Sequence, residues 1–251
     1  MVRVRGLLRA LIVSCLLLST AAAARAEDPG PPDPAGVPVD LQLILAVDSS
    51  GSINAEEFRL QMEGLTTAFR SPAVMDAIRR GPRGAIAVTV VEWSSVDQQH
   101  QSIAWTLLCD EESMVTFAEQ LANAPRFIPG GSTSLSDALK FADRLFVRSG
   151  FVSERRVIDV SGDGSNNSGI PPDSVRDRLV ETGIVINGLA ILNDEPNLKD
   201  YYANSVVGGP GSFVLVAESY ETFSNAILSK LIQEIATLPS PTTVAMEQPY
   251  H

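Results

Sequence analysis

Residues 41–52, LQLILAVDSSGS, constrain the fold more than any other stretch of the sequence. Branched apolar side chains run together and stop at an acid followed by Ser-Ser-Gly-Ser. Such a run reads as a parallel strand buried on both faces, which delivers Asp48, Ser50 and Ser52 to one rim of a sheet. All three side chains offer oxygen ligands only. One carboxylate with two hydroxyls makes half the shell of a hard divalent cation such as Mg²⁺, so the remaining ligands must come from elsewhere in the chain. A plainer reading makes Asp48 the cap of a helix beginning near Ala55 and leaves the serines to form the turn.

The segments that follow alternate between the two periods. Phe58, Met62, Leu65 and Phe69 make one stripe of a helix packed on a sheet, and residues 81–84 break it. Residues 85–93 read as a second buried strand and 101–108 as a third; the short link between them predicts an antiparallel hairpin, because a parallel crossover needs a dozen residues or more. Met114, Phe117 and Leu121 mark a short helix. The hydroxyl-rich loop 129–134 then leads into a helix striped by Leu135, Leu139, Ala142 and Phe146. A strand over 156–161 ends on Gly162-Asp163-Gly164, a helix over 174–182 precedes a strand over 184–192, and a polar connection carries Tyr201 and Tyr202. The last strand covers 212–217, and Phe223, Ile227, Leu231 and Ile235 stripe the closing helix. This order predicts an α/β fold, a doubly wound, mainly parallel sheet with helices on both faces, in one domain over 39–236.

The two ends stand outside that domain. Arg3, Arg5 and Arg9 precede an apolar run over 11–24, too short to cross a bilayer comfortably, and Ala24-Arg25-Ala26 is a small-x-small cleavage signal. Residues 1–26 are therefore expected to be a cleaved signal peptide, with the mature chain in the periplasm or outside the cell. Residues 27–38 carry five prolines and form a stiff linker, whereas 237–251 lack a stripe and are expected to be disordered. Loss of residues 1–26 leaves 15 basic against 30 acidic side chains, a net charge of −15. Phosphate backbones and anionic lipid repel such a chain, which argues against nucleic-acid or membrane-surface binding. No later stretch is long and apolar enough to span a membrane, and a monomer is the expected state. Cys109, the one cysteine left, cannot form an internal disulfide and is expected to be a buried, inert thiol.

Three clusters fall at carboxyl ends of strands or in the loops beside them, where ligands bind on open sheets: Asp48-x-Ser50-x-Ser52, Thr133 in the Gly-Gly-Ser-Thr loop, and Asp163. Together they resemble the metal-ion-dependent adhesion site (MIDAS) of von Willebrand factor type A (VWA) domains, and all five positions of that pattern are filled without substitution. The resemblance implies a six-stranded sheet with one antiparallel edge strand. It also implies a divalent cation, Mg²⁺ first with Mn²⁺ or Ca²⁺ as alternatives, and an open coordination position for an Asp or Glu carboxylate on a protein partner. A narrower resemblance, through Arg156–Gly164 with Asn166-Asn167, Ile186–Leu189 and Gly208–Phe213, is to exported bacterial proteins of this fold catalogued as a domain of unknown function. Asn166 and Asn167 could contact the bound ligand or simply form the turn.

Residues 162–167 also approximate a signature of haloacid-dehalogenase-type phosphatases. In that alternative Asp48 is the nucleophile, Ser94 or Ser95 the phosphate-binding hydroxyl and Lys140 the charge clamp. Ser50 stands where that family has a second Asp, and a serine cannot protonate a leaving group. His100 and His251 are the only histidines, and no Gly-x-Ser-x-Gly elbow precedes a helix. Asp159, inside an apolar strand, is a buried polar group in need of a partner. Trp93 and Tyr201 read as core or rim packing.

Overall fold

The computed structural model describes residues 36–236. The expected signal peptide, most of the linker and the C-terminal tail lie outside the described residues. Within them runs the order β1 (Val37–Pro38), β2 (Leu41–Asp48), α1 (Ala55–Phe69), α2 (Pro72–Arg79), β3 (Ile86–Trp93), β4 (Gln99–Leu108), α3 (Glu111–Asn123) and α4 (Leu135–Val147). It continues with β5 (Phe151–Val152), β6 (Arg156–Gly162), α5 (Pro172–Glu181), β7 (Ile184–Ile191), α6 (Leu198–Tyr201), β8 (Val214–Ala217) and α7 (Phe223–Ala236). A π-helical turn, Tyr202–Val206, extends α6, and a 3₁₀ turn, Tyr220–Thr222, leads into α7.

Six strands form the main sheet in the order β4-β3-β2-β6-β7-β8. All neighbours are parallel except β3 and β4, whose antiparallel pairing shifts register between Val88 and Val90 and again between Val90 and Val91. Alternate side chains of β2 enter two separate cores. Leu41, Leu43, Leu45 and Val47 pack with α1, α2, α3 and α7, while Ile44 and Ala46 pack with α4 and α5. Burial on both faces is why β2 reads as an unbroken apolar run.

Local chemistry sets the helix ends. Asn54, rather than Asp48, caps α1: its Oδ1 accepts from Glu56 N and Glu57 N, and the Glu57 carboxylate accepts from Asn54 N in return. Ser71 with Pro72 starts a second helix, α2, which the stripe over 58–69 does not announce. Gly64 lets α1 approach α7, since a Cβ there would sit 2.6 Å from the Phe223 ring. The fold also begins earlier than the proline content suggests. Val37–Pro38 pair in parallel with Phe151–Val152 in a small second sheet, so two residues expected in the linker belong to the domain.

Cys109 is exposed, contrary to the expectation of a buried thiol. Leu108 ends β4 and Asp110 already caps α3, which leaves Cys109 at the outer corner of the turn. Asp159 has its partner: Lys230 of α7, fully buried, places Nζ 2.5 Å from Asp159 Oδ1 and 2.8 Å from Glu234 Oε1. Trp93 is fully buried in the core, and His100 is exposed at the start of β4, stacked on Phe127.

Candidate metal centre at the sheet rim

β2 and β6 are adjacent and parallel at the middle of the sheet, so their carboxyl ends present Asp48 and Asp163 side by side. Asp48 is fully buried; Oδ1 accepts from Ser50 N at 2.7 Å, and Oδ2 has no hydrogen-bond partner. From Ser50 the hydroxyls continue outward. Ser50 Oγ lies 3.3 Å from Ser52 Oγ, which donates to Asp163 Oδ1 at 2.8 Å. The Tyr220 phenol, in the turn before α7, donates to Asp163 Oδ2 at 2.9 Å. Asp48, Ser50, Ser52 and Asp163 thus form one connected set of oxygens.

Thr133 reaches the same rim from the loop before α4, which several hydrogen bonds fix in place. Gly51 N donates to Gly131 O at 2.7 Å, tying it to the Asp48–Ser52 turn. Asn167 holds Thr133 itself: Asn167 Oδ1 accepts from Thr133 N at 2.8 Å, Asn167 N donates to Thr133 O at 2.9 Å, and Nδ2 donates to the Thr133 hydroxyl at 3.4 Å. The hydroxyl faces the Asp163 turn, 3.9 Å from the point a Cβ on Gly164 would occupy. Asn166 serves as a cap, because its Oδ1 accepts from Leu135 N at 2.8 Å and Ser134 gives α4 no side-chain cap. Both asparagines therefore spend amide groups on the Thr133 loop and the α4 terminus.

Further groups support the site that the motifs do not name. Arg126 stacks over the Phe58 ring at 5.4 Å and donates to the carbonyls of Ser49 and Ser50, pinning the backbone of the first turn. Glu195 accepts from both Ser165 N and Ser165 Oγ and braces the turn after Asp163, while the Tyr201 phenol accepts from Asn166 N. Tyr202 is fully buried near Asp48, and its phenol has no hydrogen-bond partner. Nothing in the spacing of these residues marks them; they are brought in by the β7–β8 connection and by the loop between α3 and α4.

Electrostatics then decides what the oxygens can hold. Burial, with the Asp163 carboxylate as a second cause, pushes Asp48 up to about 7, and hydrogen bonds from Ser50 only partly offset this. Asp163 is raised as well, chiefly by burial, against the hydrogen bonds from Ser52 and Tyr220 that favour its ionised form. No cationic side chain stands among the leading influences on either acid. The set thus contains two desolvated carboxylates, three hydroxyls, an orphaned carboxylate oxygen and no positive charge of its own. Among the described residues no group of three or more His, Cys, Asp and Glu converges, so the donors are hard and few. That composition fits a divalent cation that keeps part of its water shell.

Two of the groups in the phosphatase alternative, Lys140 and Ser94, are engaged elsewhere. Lys140 pairs with Asp137 at 3.2 Å, and Ser94 Oγ is buried, donating to Gly130 O at 2.9 Å. Two hollows of the surface lie away from the rim, one lined by Asp40, Arg83 and Arg155 at the amino ends of the strands and another between α1 and α3.

The strand order with its antiparallel edge, and two acids flanking the central crossover, place the chain in the VWA fold class. Solved structures agree. Proximal thread matrix protein 1 from the mussel byssus matches with a TM-score of 0.56 at 16% identity, over 80% of this chain and 49% of that one. A von Willebrand factor type A protein from Catenulispora acidiphila gives 0.54 at 16% identity, covering 78% and 43%. The pilus adhesin SpaC of Lactobacillus rhamnosus GG gives 0.53 at 13% identity, covering 79% and 31%. The chain spans half or less of the length of each. Within the fold class, the family described as "Protein of unknown function (DUF1194)" matches residues 38–239, and the chain belongs to it. No curated protein matches the sequence.

Proposed function

We propose that the chain is an exported binding module that engages an acidic group on a protein partner through a divalent cation held by Asp48, Ser50, Ser52, Thr133 and Asp163. The observation that carries this reading is the orphaned, buried oxygen of Asp48 beside a second acid, Asp163, with neither carboxylate in an ion pair with a Lys or Arg of the described residues. Two carboxylates supply the charge that attracts the cation and the hydroxyls add neutral oxygens, which leaves the ion electrophilic toward an incoming carboxylate. Mg²⁺ is the first candidate, and Mn²⁺ or Ca²⁺ suit the same oxygens. One structure of the mussel thread protein is described as having a zinc-occupied MIDAS motif, and SpaC is described as a pilus adhesin. Both descriptions support this reading by analogy of fold. The N-terminal pattern supports cleavage after Ala26 and a location in the periplasm or outside the cell. Among the described residues no helix is long and apolar enough to cross a membrane.

We assign no catalytic role, and one set of experiments separates binding from turnover. Mg²⁺ calorimetry on residues 27–251 should give one site that Asp48→Ala removes with the fold retained. Thr133→Ala should keep Mg²⁺ affinity within about tenfold, roughly 1.4 kcal/mol, yet lose Mg²⁺-dependent, chelator-sensitive capture of a periplasmic partner. Steady hydrolysis of an aryl phosphate, lost in Asp48→Asn and kept in Thr133→Ala, would replace the binding reading with the phosphatase one.

A further inference from the structure

Beneath the rim the sheet contains a slot. Gly162 of β6 and Gly188 of β7 lie on adjacent strands, and the Tyr202 side chain lies against both. A Cβ on Gly188 would come within 2.7 Å of the Tyr202 ring. A Cβ on Gly162 would come within 2.7 Å of the Tyr202 hydroxyl and within 2.7 Å of Asp48 Oδ2. Glycine inside a strand weakens it and marks a close approach by another group, and here two of them admit one tyrosine. Tyr202 opens a π-helical turn, a rare feature frequently found at functional sites. The Tyr202 hydroxyl and Asp48 Oδ2 thus both border the space that a Gly162 side chain would fill, both are buried, and neither has a hydrogen-bond partner. A buried phenol and a buried carboxylate oxygen left unpaired side by side are each costly, and pairing them removes both penalties.

We propose that Tyr202 is a positioning residue of the rim site, its phenol acting as the donor that orients the inner oxygen of Asp48, as Tyr220 orients Asp163. The two acids then have matched supports. One tyrosine comes from the turn after α6 and the other from the turn before α7, and each acts on one carboxylate. The role toward a cation rests on the metal-binding reading above; the Tyr202–Asp48 coupling does not.

The test uses the chain from residue 27 and two conservative variants, Tyr202→Phe and Tyr220→Phe, which keep the ring and remove only the hydroxyl. Outer-shell partners of metal ligands typically contribute about 10–100-fold in affinity. Mg²⁺ affinity measured by calorimetry should therefore fall by at least about tenfold in Tyr202→Phe. The near-ultraviolet tyrosine difference spectrum produced by Mg²⁺ should shrink in the same variant. In chelator, a double-mutant cycle of Tyr202→Phe with Asp48→Asn, read as thermal stability, should be non-additive, because each change removes the same contact. A residue that merely fills the slot would leave Mg²⁺ affinity unchanged and make the cycle additive, and either result overturns the proposal. Should the parent chain bind no Mg²⁺, the binding reading fails, and the cycle in chelator alone then decides for or against the Tyr202–Asp48 contact.

Discussion

Two places along β6 bury carboxylates in pairs, and they are balanced differently. In the interior, Asp159 and Glu234 share the ammonium of Lys230, with Asn187 Nδ2 donating to Glu234 Oε1 at 2.8 Å and the Phe213 ring 5.1 Å from the ammonium. Four residues further on, just past the end of the strand, Asp163 stands beside Asp48 at the rim with hydroxyls and phenols around them, and no Lys or Arg of the described residues pairs with either. Desolvating a charge is tolerated only when an opposite charge and hydrogen bonds repay it. The interior cluster carries its cation on the fold itself and is closed. The rim pair lacks one and faces outward through Ser52, which is exposed. Even in the interior one ammonium faces two acids, and burial together with Glu234 raises Asp159. A divalent cation matches two carboxylates where a single lysine cannot.

The largest effect should come from unbalancing the interior. Lys230→Met leaves two buried acids without their cation, an arrangement that typically costs about 3–5 kcal/mol. Urea unfolding measures it, and adding Asp159→Asn should recover part of the loss. A cost near zero would mean that the two clusters are not opposites after all. Next in size is the response of the rim to metal. At about 100 times the dissociation constant, Mg²⁺ should stabilise the chain by about 2.7 kcal/mol over its stability in chelator, and Asp48→Asn should abolish that gain. An Asp48→Asn chain that still gains stability from Mg²⁺ would move the metal elsewhere.

The third effect is read as a slope, with at most about 1.4 kcal/mol in each pH unit. Without metal, Asp48 in the folded chain titrates near 7, against about 3.9 in an unfolded one. Between those values the native state holds a proton that the unfolded state has released, so this group's contribution falls as pH rises from about 4 to about 7, by at most roughly 1.4 kcal/mol per unit. Asp159 and Asp163 are shifted in the same direction, so the informative quantity is the difference in slope between the parent and Asp48→Asn in chelator. Saturating Mg²⁺ should remove that difference. A slope unchanged by Asp48→Asn would show that the rim acid is already balanced.

How much of this could be read beforehand depends on whether a signal is local. Asp48 ends one strand with Ser50 and Ser52 just beyond it, and Asp163 follows another, so short patterns place them, and the strand alternation puts them on one rim. The antiparallel hairpin followed from the length of a loop. Tyr202 and Tyr220 fall in connections without periodicity, and their partners lie far away in the chain, so no spacing rule reaches them. Arg126 is similar, since it acts on backbone carbonyls that any sequence would supply. Lys230 is an intermediate case. It shares the buried face of α7 with Ile227, Leu231 and Glu234, and a lysine on an apolar stripe answering an aspartate in an apolar strand is a pairing the sequence allows one to suspect. Cys109 misled because burial was inferred from residue type, while its exposure was settled by two element ends meeting at that point.

The irregular register between β3 and β4 has a consequence for how the molecule meets others. β4 is the longer of the two outer strands, ten residues against four in β8. A straight, unpaired edge of that length is a template on which another chain's strand can add, and bulges that twist an edge are one means by which proteins prevent it. The shifts at Val88, Val90 and Val91 interrupt the ladder along β4, and the opposite edge is too short to recruit a long partner strand. Aggregation through backbone pairing is thereby discouraged along both flanks.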